Sequence, residues 1–441
     1  QQIKLETTLN DAQRSKLGID LSKFITGPIG FKLEGKSKSG DVTKVKVSAN
    51  LSKAKIRVDA IHWRQAKPEG TSATFNADFS SPKVTRVTNL NLKGNGLLVN
   101  GNMTLGENGE LVSAVLPTVN LGPNNRMGLR VSKNGTGGTL LEVEGKTFDA
   151  RPMIAALFDE TTGRLTPSGD DQVDVRAKFD SVYAYRNQHL VNVRSVATAR
   201  GQALTSMRLN GIFTDRTTLD LEIAPKDDGS RSMTIKSTNA GAAFRASNLY
   251  SKIRGGRLNF TANLGKAGEG TIRRGDLEVR NFLVADEKQL QQFRSAPNGN
   301  QQGGPLAFDK LTLPFAVDRE FVRIGDARVQ GAAVGALAKG SIRKADGKLS
   351  IGGTLIPAYG LNSALSNLPI LGLLIAGGKD EGVIGVTFGL RGTMKSPEIK
   401  INPVSALAPG FLRKMFEFRG RGALEEKPPR VLGDERINDN R

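Results

Sequence analysis

The sequence predicts a mostly β fold made of antiparallel hairpins, and three observations lead to this prediction. Apolar and polar residues alternate along nearly the whole chain, turn dipeptides separate the alternating runs, and 51 of the 441 residues are glycine. Alternation gives a strand one apolar face and one polar face, and Asn-Gly or Asp-Gly pairs favour tight hairpin turns. So much glycine disfavours a helical bundle.

Four hairpins can be placed along the chain by their turn dipeptides. The turns are predicted at Asn108-Gly109, Asn134-Gly135, Asp228-Gly229 and Asp346-Gly347. Each dipeptide is flanked on both sides by alternating apolar residues, which is the pattern of a two-stranded antiparallel ribbon. Further alternating runs, at 45–51, 258–264 and 386–390, predict strands without so clear a turn.

Short helices are predicted where apolar residues recur every three to four positions. These segments are Phe148–Phe158, Leu283–Phe293, Leu361–Ile375 and Pro403–Phe418, which are expected mainly toward the C-terminus. Residues 296–305 read as a flexible loop because they are polar and rich in Gly, Pro, Asn and Gln. Residues 419–441 are charged and contain proline, which predicts a disordered tail.

The composition argues against an enzyme and against a metal or cofactor site. The chain has no cysteine and only two histidines, His62 and His189, so thiolate, Cys-zinc and histidine-relay chemistry lack their residue types. His62 beside Trp63 is read as an ordinary strand pair. The charged residues Asp149, Arg151, Asp286 and Glu381 are interpreted as turn or capping residues rather than catalytic groups.

The formal net charge of +20 predicts attraction to polyanions or to an anionic membrane surface. No block of five basic residues occurs, and aromatic residues make up only 5% of the chain without forming a cluster among basic residues. Stacking platforms for single-stranded nucleic acid need such aromatics, so no nucleic-acid partner is expected. The longest apolar stretch, 369–376, is far shorter than the roughly 20 residues of a spanning helix.

Two blocks of motifs resemble the C-terminal region of the AsmA-like family, in particular its large YhdP-type members. The first block comprises Ala240-Gly241-Ala242, Leu249-Tyr250, Ile253, Gly255-Gly256-Arg257-Leu258, Gly275-Asp276-Leu277, Asn281-Phe282 and Asp286. The second comprises Ile356-Pro357, Gly360-Leu361-Asn362, Leu368-Pro369, Leu371-Gly372, Glu381-Gly382, Gly385, Gly392-Thr393, Pro397, Asn402-Pro403 and Pro409-Gly410-Phe411-Leu412-Arg413. The resemblance covers residues 230–418, and 144–157 more weakly.

This resemblance implies a bridge-like lipid transfer protein. The implied fold is a long curled antiparallel sheet with an open apolar groove, in a repeating, taco-like arrangement. The implied function is to carry phospholipid acyl chains across the periplasm, between the inner and the outer membrane. The resemblance also implies that an N-terminal segment absent from this chain anchors the protein to the inner membrane. The expected partners are phospholipids, the two membrane surfaces and other envelope proteins, and no cofactor is expected.

The expected organisation follows the motifs along the chain. Residues 1–140 are predicted as a groove segment, 141–295 as a groove segment with the first block, and 306–418 as the conserved C-terminal region. Inward, lipid-binding positions are expected at Val45, Val47, Leu219, Leu221, Ile223, Leu258, Phe260, Leu349, Ile351, Leu355, Val386, Phe388 and Leu390. Membrane-contacting positions are expected at Leu371, Leu373, Leu374, Ile375, Phe411, Leu412 and Phe416.

Alternative interpretations remain open at this stage. The apolar strand faces also suit the core of a closed sandwich or barrel. The segments 361–375 and 403–418 suit helices docked on the sheet as well as helices in a membrane interface. Two other functions fit the same residues, namely an assembly scaffold that offers sheet edges to outer-membrane proteins, and a basic polyanion-binding β protein.

Overall fold

The structure, a computed structural model, describes most of the chain with gaps. The described residues are 2–36, 43–107, 109–156, 171–201, 203–266, 272–285, 304–332, 334–357, 386–394 and 396–402. The chain divides into two compact units, Gln1–Ile272 and Arg273–Arg441, called unit 1 and unit 2. Each is described by itself.

The described chain is mostly β, with 22 strands assigned to one mostly antiparallel sheet and three short strands to another. The strands of unit 1 are β1 Gln2–Leu9, β2 Ile25–Thr26, β3 Ile29–Lys36, β4 Lys44–Asn50, β5 Lys55–Val58, β6 Trp63–Arg64, β7 Ser72–Ser81, β8 Val84–Gly94, β9 Leu97–Gly106, β10 Leu111–Leu121, β11 Arg126–Lys133, β12 Thr139–Asp149, β13 Gln172–Tyr183, β14 His189–Arg200, β15 Ala203–Phe213, β16 Thr218–Pro225, β17 Arg231–Ser237 and β18 Ile253–Leu264. Its helices are α1 Asp11–Lys16, α2 Arg151–Ala156 and α3 Ala240–Ala246, with a 3-10 turn at Asp59–Ile61.

Unit 2 consists of strands in its described part. They are β19 Ile272–Val284, β20 Leu306–Val317, β21 Phe321–Gln330, β22 Val334–Arg343, β23 Leu349–Pro357, β24 Val386–Thr393 and β25 Ser396–Asn402. Each pairs antiparallel with the next along the chain, from β19 through β25. Neighbours in the chain are therefore neighbours in the sheet, which is the order of a meander.

The large sheet of unit 1 follows chain order with two exceptions. β1 pairs with β3, β3 with β4 and β4 with β7, after which the order runs without interruption from β7 to β18. All of these pairs are antiparallel except β12 with β13, which is parallel. A parallel neighbour cannot be reached by a tight turn, and here the connection contains α2.

The hairpins predicted from turn dipeptides are confirmed. They join β9 to β10, β11 to β12, β16 to β17 and β22 to β23. The alternating runs at 45–51, 258–264 and 386–390 lie in β4, β18 and β24, except that Leu51 follows the end of β4. Of the predicted helices, 148–158 contains α2, whereas Leu283 and Val284 end β19 and most of 285–293 lies outside the described residues. The segments 361–375 and 403–418, the tail 419–441 and most of the loop 296–305 also lie outside them.

A second, small sheet covers part of the large sheet of unit 1. In it β2 pairs with β5, and β5 pairs with β6. Its side chains, among them Ile25, Ile56, Val58 and Trp63, pack with residues of β8 to β12 in one apolar cluster. Within the predicted groove segment 1–140, the apolar face of β8 to β12 is covered by the chain's own side chains. The short strands β2, β5 and β6 carry too few residues to show alternation in the sequence.

Candidate functional site

An apolar row crosses every strand of the large sheet of unit 1. Directly opposed partners in neighbouring strands point to the same face, so the pairing register identifies the row. Its members, one per strand from β1 to β18, are Ile3, Gly35, Val45, Ala77, Val87, Met103, Ala114, Val131, Leu141, Val175, Ala197, Met207, Ile223, Met233 and Ala262. The face that carries this row is called the apolar face.

A second row runs beside the first over strands β10 to β18. It consists of Leu116, Leu129, Val143, Ala177, Ser195, Leu209, Leu221, Ile235 and Phe260. Ser195 is its single polar member. In each of these strands the members of the two rows are two positions apart, so they lie on the same face. The apolar face is therefore at least two residues wide over β10 to β18.

The opposite face of the same strands is polar and carries cross-strand ion pairs. Arg176 lies 3.9 Å from Glu142, Lys178 3.1 Å from Glu144, and Arg208 2.9 Å from Glu222. All six side chains are well exposed, so these pairs add little to stability, typically about 0–1 kcal/mol each. Their presence identifies this face as the one in contact with water.

The apolar face has a part that remains half-exposed. Over β13 to β18, nine apolar residues of the two rows are neither fully buried nor fully exposed, and two of them, Ala177 and Leu209, pack against a buried cluster that includes Phe213. The other seven are Val175, Ala197, Met207, Leu221, Met233, Ile235 and Phe260, and we call this set the open face. Under the small sheet, by contrast, Leu97, Ala114 and Val131 are only 3%, 2% and 6% exposed.

Two short helices pack at one edge of the apolar face, where β12, β13, β15 and β17 end. Ala242 and Ala246 of α3 and Ile154 of α2 join an apolar cluster with Phe213, which is 2% exposed. Asn239 starts α3 by accepting a hydrogen bond from the Ala242 N–H at 3.0 Å. We call this edge, with residues 149–156, 184–188, 214–217 and 238–254, the helix rim.

Asp149 is held in place at the start of α2. Its two carboxylate oxygens accept hydrogen bonds from Nε and Nη2 of Arg151 at 2.8 and 2.6 Å, and Oδ1 also accepts from the Arg151 N–H at 3.1 Å. Tyr185 donates to the Arg151 carbonyl at 3.2 Å, and Asn125 accepts from the Asp149 N–H at 2.9 Å. This arrangement supports the predicted capping role for Asp149 and Arg151.

Acid is expected to weaken unit 1 through Asp149. Burial raises the pKa of Asp149, but the hydrogen bonds from Arg151 outweigh it and hold the pKa below the usual value of 3.8. A lowered pKa in the folded state stabilises above pH ~4, and this contribution is lost as the pH falls through the folded-state pKa. The free energy of unfolding should therefore drop between pH 6 and pH 2.5 by up to about 1 kcal/mol more in the wild type than in Asp149→Asn. Equal drops in urea unfolding would contradict this assignment.

Unit 2 carries apolar rows of its own. One consists of Val279, Leu311, Val329, Ala336, Leu355 and Val386, and a second of Gly275, Phe315, Ile324, Gly340, Ile351, Leu390 and Ile399. Val279 is fully buried, and Ile351, Leu355 and Val386 are 6–7% exposed. Where they are described, these rows are more deeply buried than the open face of unit 1.

All thirteen residues that the sequence predicts to bind lipid lie in strands. Leu221 and Phe260 belong to the open face, Leu219 and Leu258 are half-buried neighbours on the same side, and Ile223 is 6% exposed. Val45 and Val47 lie on β4, far along the sheet order from β13. Leu349, Ile351, Leu355, Val386, Phe388 and Leu390 lie in β23 and β24 of unit 2, all of them buried except the half-buried Leu390. The predicted membrane contacts, Leu371, Leu373, Leu374, Ile375, Phe411, Leu412 and Phe416, lie outside the described residues.

Sequence reasoning missed several members of the open face. Val175, Ala197 and Met207 were not singled out, although Val175 and Met207 each lie between polar neighbours in their strands. That alternation was the available signal. Leu209, from the second row, was missed for the same reason. What the sequence lacked was the register, which alone shows that these residues align across strands.

Other kinds of site find little support in the described part of the chain. There, no three His, Asp or Glu side chains come together as metal ligands, and no helix is both long enough and apolar enough to cross a membrane. An open concavity of about 750 Å³ lies at the ends of β1, β3, β4 and β7 and is lined mainly by polar residues such as Thr8, Ser48 and Asn50. Comparison of the chain with protein-family models, with curated proteins and with solved structures gave no match.

Proposed function

We propose that the chain is a lipid-conduit segment that carries phospholipid acyl chains along the apolar face between two bacterial membranes, without covalent chemistry. The observation that carries the proposal is the open face, which has at least one half-exposed apolar residue on every strand from β13 to β18. A folded chain ordinarily buries such a surface. The acyl chains of a bound lipid would shield this surface from water.

The energetics favour acyl chains as the occupant of the open face. Each methylene removed from water contributes about 0.8 kcal/mol, so a phospholipid with roughly 30 methylenes is far more stable on an apolar surface than in water. Transfer from a membrane to a surface of similar polarity is close to neutral, which suits a conduit. The open face offers aliphatic and aromatic side chains, with Ser195 as the single polar group in its rows. A surface of near-equivalent apolar sites lets a chain slide without a large barrier at any one strand.

The resemblance of residues 230–418 to the AsmA-like family supports the same function and suggests a location. We infer that the protein acts in the periplasm, reaches the inner and outer membrane surfaces, and is attached to the inner membrane by a segment outside this chain. Phospholipids are its proposed ligands. The net charge of +20 suits a surface that approaches anionic lipid headgroups.

Photo-crosslinking from the two faces of one strand tests the proposal. A photoreactive residue at Leu221, on the open face, should capture phospholipid from the cell envelope, whereas the same residue at Glu222, on the polar face, should not. Adjacent positions share one strand and differ in the face they occupy. Mass spectrometry of the crosslinked adducts identifies the lipid. Equal labelling at both positions, or none at Leu221, would reject the conduit.

A further inference from the structure

Three large apolar side chains of unit 1 are exposed in one short loop. The loop, residues 17–24, joins α1 to β2, and we call it the apolar loop. Its Leu17 is 63% exposed, Ile19 is 41% exposed and Phe24 is 55% exposed. The described residues include thirteen such exposed large apolar side chains, so three of them fall within eight positions. Single exposed apolar residues are ordinary on a protein surface, but a concentrated group marks an interaction surface.

Buried contacts anchor the apolar loop to the sheet. Arg14 of α1, which is 1% exposed, donates from Nη1 to the Leu9 carbonyl at 2.9 Å and to the Gly27 carbonyl at 2.7 Å. The Gly27 N–H in turn donates to the Asp11 carboxylate at 3.0 Å. Within the loop, Leu21 packs against a buried apolar cluster. The end of β1 and the chain after the loop are thus tied together, and the exposed apolar side chains are presented by an anchored segment.

Exposed lysines surround the apolar loop. Lys16 precedes the loop and Lys23 lies within it, while Lys53 and Lys55 lie beside its C-terminal end because β2 pairs with β5. Within the described residues, none of these four lysines is part of an ion pair. Residues 16–28 and 52–59 together contain five basic side chains and two acidic ones. The surface around the loop is therefore cationic.

The pairing of β2 with β5 places an apolar and a cationic side chain on one outer face. Ile25 and Ile56 are opposed in this pair, and both pack in the apolar cluster under the small sheet. Successive residues of a strand point to opposite faces, so Lys55 points away from that cluster. The Arg57 N–H donates to the Phe24 carbonyl at 2.9 Å, which continues the pairing by one position. Phe24 therefore lies on the same outer face as Lys55.

An anionic phospholipid bilayer matches this combination of side chains. Apolar side chains flanked by lysine are typical of segments in a membrane interface, where the apolar groups leave water and the cations stay among the headgroups. Each lysine near an anionic membrane surface strengthens the attraction. A second copy of the chain matches less well, because it would bring the exposed lysines of two copies together.

We propose that the apolar loop docks unit 1 onto an anionic phospholipid bilayer. Leu17, Ile19 and Phe24 insert among the acyl chains, and the four lysines lie at the level of the headgroup phosphates. The inference rests on the proposed function in one respect, namely that a chain that carries phospholipid must meet a membrane. It adds a membrane contact to those that the sequence predicts at 371–375 and 411–416.

Flotation of the full chain with vesicles of phosphatidylglycerol and phosphatidylcholine tests the proposal. In Leu17→Ser with Ile19→Ser and Phe24→Ser, the fraction bound should correspond to a partition coefficient at least about tenfold below that of the wild type, because three apolar side chains no longer leave water. All three positions are exposed in the folded protein, so the fold is retained, and circular dichroism checks this. Vesicles of phosphatidylcholine alone should bind the wild type more weakly, because the lysines lose their anionic partners.

A matched control removes the same number of exposed apolar side chains from separate strands. Phe79, Val115 and Val196 lie in β7, β10 and β14 and are 50%, 46% and 58% exposed. Phe79→Ser with Val115→Ser and Val196→Ser should bind the mixed vesicles as the wild type does. Equal losses in the two triple variants would show that exposed apolar area in general, and not the apolar loop, causes binding, and would overturn the proposal.

A single fluorescent label measures insertion directly, since the chain contains no cysteine. A nitrobenzoxadiazole label on Phe24→Cys should brighten with the mixed vesicles and be quenched by lipids that carry bromine on their acyl chains. The same label on Phe79→Cys should show neither change. A label at position 24 that bromine does not quench would overturn insertion.

The remaining outcomes separate the docking from the conduit. A wild type that captures phospholipid at Leu221 but does not bind the vesicles would overturn the docking and leave the conduit standing. Vesicle binding without capture at Leu221 would reject the conduit and leave the docking standing. If the wild type ignores the vesicles and forms dimers in sedimentation that the loop variant does not form, the apolar loop is a contact between copies and the membrane assignment is overturned.

Discussion

Two aspartates on the apolar face of β14, Ser195→Asp with Ala197→Asp, are expected to lower phospholipid capture at least about tenfold. Both positions lie on β14 in the two apolar rows and are half-exposed. In the lipid-free protein water reaches these carboxylates, so the sheet stays folded. Acyl chains would have to strip that water from unpaired charges, and this is the costly step.

The control for this variant lies on the same strand. Arg194→Asp with Val196→Asp places two carboxylates on the polar face, where Val196 is already 58% exposed. It changes the net charge more than the test variant does, so an effect of charge alone would appear more strongly in the control. Phospholipid that co-purifies with each variant is measured by mass spectrometry after organic extraction. If the variant with Ser195→Asp and Ala197→Asp retains as much phospholipid as the wild type, the acyl chains do not bind over β14.

Truncation of Phe213 should cause the largest loss of stability at the helix rim. Its ring is 2% exposed and packs in one cluster with residues of α2, α3 and strands β11 to β16. Removal of a buried phenyl group leaves a cavity, and Phe213→Ala should lower the free energy of unfolding of unit 1 by about 3–5 kcal/mol. The helices would detach from the apolar face most readily in this variant.

Hydrogen exchange of the β14 and β15 amides measures this loss of stability. A local measurement is used because the chain has two units, which need not unfold in one transition. Phe79→Ala is the matched control, since Phe79 is 50% exposed and its truncation should change the free energy by less than about 0.5 kcal/mol. Similar protection of β15 in Phe213→Ala and the wild type would show that the cluster does not anchor the helices.

The sequence was informative where local chemistry decides the structure. Asn108-Gly109 and Asp228-Gly229 act within a few residues, and their hairpins could be placed from the dipeptide and the flanking alternation. The polarity of each strand face was predictable for the same reason. Asp149 and Arg151 were assigned a capping role from residue type, and the hydrogen bonds at the start of α2 agree with that role.

The remaining features depend on contacts between distant residues. His62 was predicted in a strand pair but has a φ of 51°, at the end of a 3-10 turn that places Trp63 in the small sheet. Nothing local signals that the small sheet covers strands β8 to β12. The candidate site was predictable only as a set of apolar positions, because a shift of register by one residue would move a whole strand's apolar set to the opposite face.

The parallel pair of β12 and β13 divides unit 1 into two meanders. After β12 the chain returns to the strand ends from which β12 itself began, and the second meander starts there. Two antiparallel strands together return the chain to the strand ends from which the first one began. A pair of strands inserted at this junction would therefore preserve the direction of every later strand. Strands inserted in pairs at this junction would therefore leave the apolar and polar faces of the later strands as they are.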